Sequence, residues 1–155
     1  MWFWRKAPPF ERPQSPQQVT LGPIGWVRNA VQKPRPRGWE RVGSRIEFAP
    51  EHASKLRGLE GYSHILVLFY MDLAVDALEK PDQLTLASGN TYGIWATRSQ
   101  LRPNHLGLSV VPLLEVDAEK CRLRVRGLDA IDGTAVLDIK PYLPRYDSVP
   151  GARIP

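Results

Sequence analysis

Proline sets the punctuation of this chain. Fifteen are spread through 155 residues, and each fixes φ and removes a backbone donor. Five fall within residues 1–23: Pro8, Pro9, Pro13, Pro16 and Pro23. With no hydrophobic period among them, residues 1–18 read as an extended Pro-rich arm, whose aromatics can still dock on the body or on a second subunit. Pro34 and Pro36 mark a second irregular stretch, 32–39. The last fifteen residues hold four more prolines, and residues 149–155 read as a tail. The body, 19–148, lies between them, and the length suits one domain.

Between the prolines the body is mostly strand-like. Residues 19–27 read as a first strand, interrupted by Gly22-Pro23, and 45–48 as a second. The apolar run SHILVLFYM, 63–71, has strand length and suits burial on both faces. Strands follow at 92–97, at 108–116 (where Pro112 implies an edge or a bulge), at 120–128 and at 134–139. The alternation in 120–128 places Cys121, Leu123 and Val125 on one face and Arg122, Arg124 and Arg126 on the other. One helix is signalled by Pro50 and Glu51 at its start, Lys55 and Arg57 at its end and Gly58 as its stop. A weaker helical candidate is 73–79. This is an all-β pattern with one or two short helices: a small barrel or closed sheet with long irregular loops. No G-x-G-x-x-G follows a strand and no P-loop motif occurs, which argues against a Rossmann-type cofactor site.

Composition is that of a globular chain, 43% apolar and 24% charged. The single cysteine, Cys121, rules out an internal disulfide framework and a multi-cysteine zinc site. No apolar run has the roughly 20 residues of a bilayer span. The N-terminus places its aromatics before Arg5 and Lys6, the wrong order for a secretory signal. A cytoplasmic protein is expected. Charge is unevenly distributed: net +7 over residues 1–57, −4 over 58–97 and +2 over 98–155. Two basic thirds can form one surface attractive to RNA or DNA, or simply aid solubility.

Two loops concentrate polar chemistry. In 97–107, Arg98, Arg102 and Asn104 offer donors suited to a carboxylate or phosphate, and Gly107 permits close backbone approach. A solvated connection has the same composition. In 126–134, Asp129 and Asp132 are separated by two residues in a turn. Either can accept a proton or hold a hydroxyl, or bond turn amides, and Asp132-Gly133 favours the turn role. His64 reads as a core histidine with one hydrogen bond and His52 as a surface residue. His52, His64 and His105 show no metal-ligand spacing, so no metal is expected. Arg122, Arg124 and Arg126 can face a phosphate backbone or solvent. Trp39, near Arg37, is either a stacking platform or a packed side chain.

The ordered set Ala96-Thr97-Arg98-Ser99, Arg102-Pro103-Asn104, Gly107-Leu108-Ser109, Gly127-Leu128-Asp129, Asp132-Gly133-Thr134 and Leu137-Asp138-Ile139-Lys140-Pro141-Tyr142 resembles the TsaA-like family, also called YaeB or TrmO. Ile24-Gly25-Trp26-Val27-Arg28 and Arg57-Gly58-Leu59-Glu60-Gly61-Tyr62-Ser63-His64 fit its earlier motifs, so the likeness covers about residues 21–148. The resemblance implies a single-sheeted β-barrel that binds S-adenosylmethionine and pairs as a homodimer. The implied activity is methyl transfer to the exocyclic amine of threonylcarbamoyl-adenosine, next to the anticodon of a tRNA. It carries cofactor contacts onto Pro36, Arg37 and Gly38, onto Asp72 and Leu73, onto Arg98 and Leu108, and onto Arg126, Gly127, Leu128 and Asp129. In that scheme Arg98 and Arg126 hold the cofactor carboxylate, and Leu108 and Leu128 pack on adenine. Asp129 or Asp132 is the candidate general base and Asn104 an orienting group.

This chain departs from the family pattern in two ways. His105 stands where the family's R-P-N-P-I-G has its second proline, which adds a titratable group beside the expected pocket. The additional C-terminal domain of many bacterial members, thought to aid tRNA binding, is expected to be missing. The alternatives are another nucleoside or small-molecule acceptor, or a nucleotide- or RNA-binding barrel without catalysis.

Overall fold

Side chains that alternate between apolar and polar force a strand to show one face inward and one outward, and here that alternation closes a ring. The computed structural model describes residues 13–74 and 80–154. Residues 1–12 of the expected arm, 75–79 of the weaker helical candidate and the last residue of the tail lie outside them. The strands are β1 (Gly25–Arg28), β2 (Gly43–Phe48), β3 (His64–Tyr70), β4 (Gln83–Thr85), β5 (Thr91–Gly93), β6 (Leu106–Asp117), β7 (Arg122–Arg126) and β8 (Ala135–Pro141). Six form a closed antiparallel barrel in the order β1-β2-β7-β6-β3-β8, and β4 and β5 make a separate two-stranded ribbon. A four-residue helix, α1 (Pro144–Asp147), follows β8. The all-β barrel expected from the sequence is the fold observed.

The barrel is filled by inward residues of every strand. Val27, Ile46, Ile65, Val67, Val111, Leu123, Val125 and Val136 are wholly buried, each side chain contributing on the order of 1.5–3 kcal/mol. On β7 the buried residues are Leu123 and Val125, with Cys121 just before the strand, as the alternation predicts. The arginine face carries its own counter-charges. Arg122 pairs with Asp117 at 3.1 Å and Arg124 with Glu115 at 3.0 Å, both acids of neighbouring β6.

Several local expectations are corrected. Among residues 19–27 only 25–27 join β1, because Gly22-Pro23 interrupts the segment ahead of it. β3 is fully buried on one face alone: Ile65, Val67 and Phe69 point inward, while His64, Leu66, Leu68 and Tyr70 stay half-exposed outside. His64 is therefore an outer-face residue, hydrogen-bonded to Ser63 Oγ at 2.9 Å. The strand expected at 92–97 ends at Gly93 and tightens into a 3-10 turn, Ile94–Ala96. The helix begun by Pro50 is 3-10 in type, Pro50–Leu56. Pro112 sits in full register opposite His64, and the irregularity of β6 comes just after it, between Leu113 and Glu115.

Candidate active site

One cleft of about 1050 Å³ opens where four irregular segments meet at the barrel. They are the stretch around Pro34–Trp39, the turn after β3 (Met71, Asp72, Leu73), the run from Trp95 into β6, and the β7–β8 loop around Asp129. Each is held by bonds that its sequence provides.

The run before β6 is braced by its own side chains. Arg102 Nε donates to Ser99 O at 3.0 Å and its Nη2 to Thr97 O. The Ser99 amide donates to Thr97 Oγ1 at 3.2 Å, and the Leu101 amide to Ser99 Oγ at 3.1 Å. His105 takes a left-handed backbone, φ 51°, and its Nδ1 lies 3.0 Å from Gln100 O. Its ring is 4% exposed and stands edge-on to Tyr70. His105 therefore stands beside the cleft, outside its lining, as a buried brace of this loop. Its carbonyl accepts the Met71 amide at 2.8 Å, which ties the turn after β3 to the same loop. Gly107 is also explained internally, since a Cβ there would run into the Phe69 ring. Arg98 reaches across the cleft wall, its Nη2 donating to Leu108 O at 2.6 Å.

The β7–β8 loop is clasped from the far side by Asn29. Its Nδ2 donates to Ser44 Oγ and to Ala130 O, both at 2.9 Å, and its Oδ1 accepts the Val31 amide at 2.9 Å. Asp132 Oδ1 accepts the Asn29 amide at 3.1 Å, and Gly133 turns the chain at φ 84°. The clasp holds buried Ala130 on one side of Asp129, and on the other Leu128 plugs the core. Asp129 is left facing the cleft. Burial there pushes its carboxyl above the ordinary aspartate value, and the positive charge of Arg98 opposes the rise.

Of the residues singled out in the sequence, Pro36, Trp39, Asp72, Leu73, Arg98, Arg102, Gly107, Leu108 and Asp129 line this cleft together. The others stand elsewhere. Leu128 is wholly buried in the barrel core, so its proposed packing on adenine is corrected to a structural role. Asp132 stands outside the cleft lining, its Oδ1 accepting the Asn29 backbone amide in a turn role. Asn104 is exposed outside the cleft lining, and Arg126 lies on the outer face of β7. Gly127 is a left-handed hinge whose amide donates to Val42 O at 2.9 Å. Arg37 is exposed, and Gly38 is a left-handed turn whose carbonyl accepts Arg35 at 2.8 Å. Trp39 does line the cleft, but Arg35 covers its ring at 5.0 Å and its own indole N–H donates to Arg35 O.

Two residues were missed. Asn29 follows β1 directly, where an asparagine commonly turns the chain. Trp95 lines the cleft and stood inside an expected strand that hid it. Among the described residues, no group of three His, Cys, Asp or Glu side chains could hold a metal, and no helix is long and apolar enough to cross a membrane.

A six-stranded barrel carrying an Arg-Asp cleft at its loops, with no doubly wound sheet, defines a class of small β-barrel proteins apart from Rossmann-type enzymes. Within that class, this chain belongs to the tRNA-methyltransferase O N-terminal domain family, whose model matches residues 28–148. It is 40% identical over 135 residues to an S-adenosyl-L-methionine-binding protein of Archaeoglobus fulgidus, covering 84% of this chain and 94% of that protein. Over 104 residues it is 41% identical to the tRNA (adenine(37)-N6)-methyltransferase of Escherichia coli, covering 64% of this chain and 44% of that enzyme. The crystal structure of TrmO from Pseudomonas aeruginosa superposes with a TM-score of 0.71 at 33% identity, over 89% of this chain and 62% of that one. The chain thus spans less than two thirds of the methyltransferases it matches and nearly all of the Archaeoglobus protein.

Proposed function

We propose that this protein is an S-adenosylmethionine-dependent methyltransferase whose acceptor is the exocyclic amine of threonylcarbamoyl-adenosine, beside the anticodon of a tRNA. The observation that carries this reading is the convergence of Pro36, Asp72, Arg98, Leu108 and Asp129, from four separate segments of the chain, on one cleft. The fit to the cofactor rests on the donor set. S-adenosylmethionine presents a carboxylate, ribose hydroxyls and a flat purine. The cleft offers a guanidinium at Arg98, a carboxylate at Asp129, and apolar surface at Met71, Leu73 and Leu108. Its volume is ample for a nucleoside.

When bound, the cofactor supplies an electrophilic methyl on its sulfonium. The chain supplies position, which accounts for much of the rate in such a displacement, and a base. An amide-like nitrogen has a delocalised lone pair and reacts better once its proton is leaving. The Asp129 carboxylate, which lines the cleft beside Arg98 and whose pKa is raised above the ordinary aspartate value by partial burial, is suited to take that proton. The positive charge of Arg98 favours its ionised form.

The same reading includes a cytoplasmic location, no metal, and a homodimer. The outer face of β3 and β6 supports the pairing: Leu66 lies opposite Val110 and Leu68 opposite Leu108, with Leu108 and Val110 about half-exposed. Sedimentation at micromolar concentration tests it, and a monomer removes that part. A second reading, transfer to another nucleoside or a small molecule, draws support from the Archaeoglobus relative, which matches over nearly its whole length and is named for binding alone.

The deciding experiment is mass spectrometry of tRNA nucleosides from a strain lacking this gene. Loss of methylated threonylcarbamoyl-adenosine, restored by the wild-type gene, is expected. An unchanged nucleoside profile overturns the tRNA assignment.

A further inference from the structure

We infer that Trp95 is the platform on which the acceptor base stacks as it enters the cleft. This rests on the nucleic-acid methylation proposed above and adds where the substrate base sits. Three observations carry it. First, Trp95 is 80% exposed on the 3-10 turn Ile94–Ala96, yet lines the cleft. Among the described residues it makes no hydrogen bond, ion pair or ring contact, whereas Trp39 across the cleft has its ring covered by Arg35 and its N–H bonded. A large aromatic left bare at a concave site is a surface for a partner. Second, Leu73 and Leu86, 58% and 40% exposed, line the same cleft and extend the apolar shelf around it. Third, a cleft of about 1050 Å³ stands at the upper end of the range for single-ligand sites, about 300–1,000 Å³, so it has room for a cofactor and an acceptor base together.

Chemistry selects the occupant. A flat, unsaturated ring suits an indole face, and bases pulled from a stack are held on aromatic side chains in this way. Trp95 precedes Arg98 by three residues, so a base stacked there lies at the edge of the Arg98–Asp129 site. Exposed Arg35 lines the same cleft, and exposed Lys33 and Arg37 lie within two residues of it in the chain, cations suited to a polyanionic backbone.

The test uses the full chain, an anticodon stem-loop RNA carrying threonylcarbamoyl-adenosine, and the variants Trp95→Ala and Trp95→Phe. Cofactor affinity is measured by calorimetry and methyl transfer by steady-state kinetics. Trp95→Ala is expected to raise KM for the RNA about tenfold or more, with cofactor Kd within twofold of wild type. Trp95→Phe is expected to restore KM to within about threefold. An RNA KM unchanged in Trp95→Ala overturns the platform while leaving the function standing. A tenfold loss of cofactor affinity in Trp95→Ala also overturns it, by placing the ring in the cofactor's half of the cleft. A wild type that transfers no methyl to the RNA overturns the proposed function and the platform with it.

Discussion

At Asp129 burial and charge pull in opposite directions, and the balance makes testable statements. Burial lifts the carboxyl's pKa and Arg98 restrains it. A base must be ionised, so kcat/KM is expected to fall on the acid side through a pKa above the ordinary 3.8. Arg98→Gln removes the restraining charge and is expected to move that limb to still higher pH. Because the folded pKa is raised, the stability cost of ionisation is absent below the unfolded value of 3.8, grows as pH rises and is complete above the folded pKa. Asp129→Asn is therefore expected to melt no lower than wild type while turnover falls about 10²- to 10⁴-fold. Retained turnover removes Asp129 as the base. Gly107 gives the opposite pattern. Gly107→Ala drives a methyl into the Phe69 ring, itself 3% exposed, and is expected to cost about 1–3 kcal/mol, read by thermal melting. Asp129, Arg98 and Leu108 were legible in the sequence as a spaced motif. Leu128 and Asp132 belong to that motif equally, but which member of a turn faces inward depends on contacts with β1 and β2, which no local pattern records.

Among the elements, the loop that carries Asp129 is positioned less by its own residues than by Asn29, more than a hundred positions earlier. One amide group bonds Ser44, Ala130 and Val31. Asn29→Ala leaves partners without donors and is expected to cost about 1–3 kcal/mol. Hydrogen exchange tests the location of the loss: amides of 130–134 are expected to exchange faster, while those of β3 keep wild-type rates. Uniform acceleration over the barrel would show that Asn29 supports the whole fold. The strand faces of β7 were readable, because alternation over five residues admits only one inward set. The 3-10 turn at Ile94–Ala96 was not. Ile94 and Trp95 have strand propensity, and the turn is set by the Ile94 amide bonding Asp82 and by Thr97 bonding Ile94 through both its amide and its hydroxyl.

For the molecule as a whole, a ligand that binds the folded cleft and not the unfolded chain must stabilise it by mass action. S-adenosylmethionine at 100 times its Kd is expected to add about 2.7 kcal/mol. That is a rise of several degrees in Tm for a chain of this length. No rise under saturating cofactor would remove the cofactor from the cleft. The all-β class followed from the short runs between prolines and from the absence of a strand-helix rhythm. Closure into a ring did not, since it depends on the distant pairing of β1 with β8.

That pairing is also the ring's shortest. β1 and β8 share two residue pairs, Gly25 with Val136 and Trp26 with Ala135, against seven between β3 and β6. Flanking bonds from Ile24 and Val27 extend it only slightly. Heat is therefore expected to unlatch the cylinder along this line first. The β8 edge released there is the one the Asp129 loop runs into, so Asp129 would drift from Arg98 while β8 stayed paired with β3 and the interior stayed dry. Enzymatic output is expected to decline at temperatures where circular dichroism still registers an intact barrel.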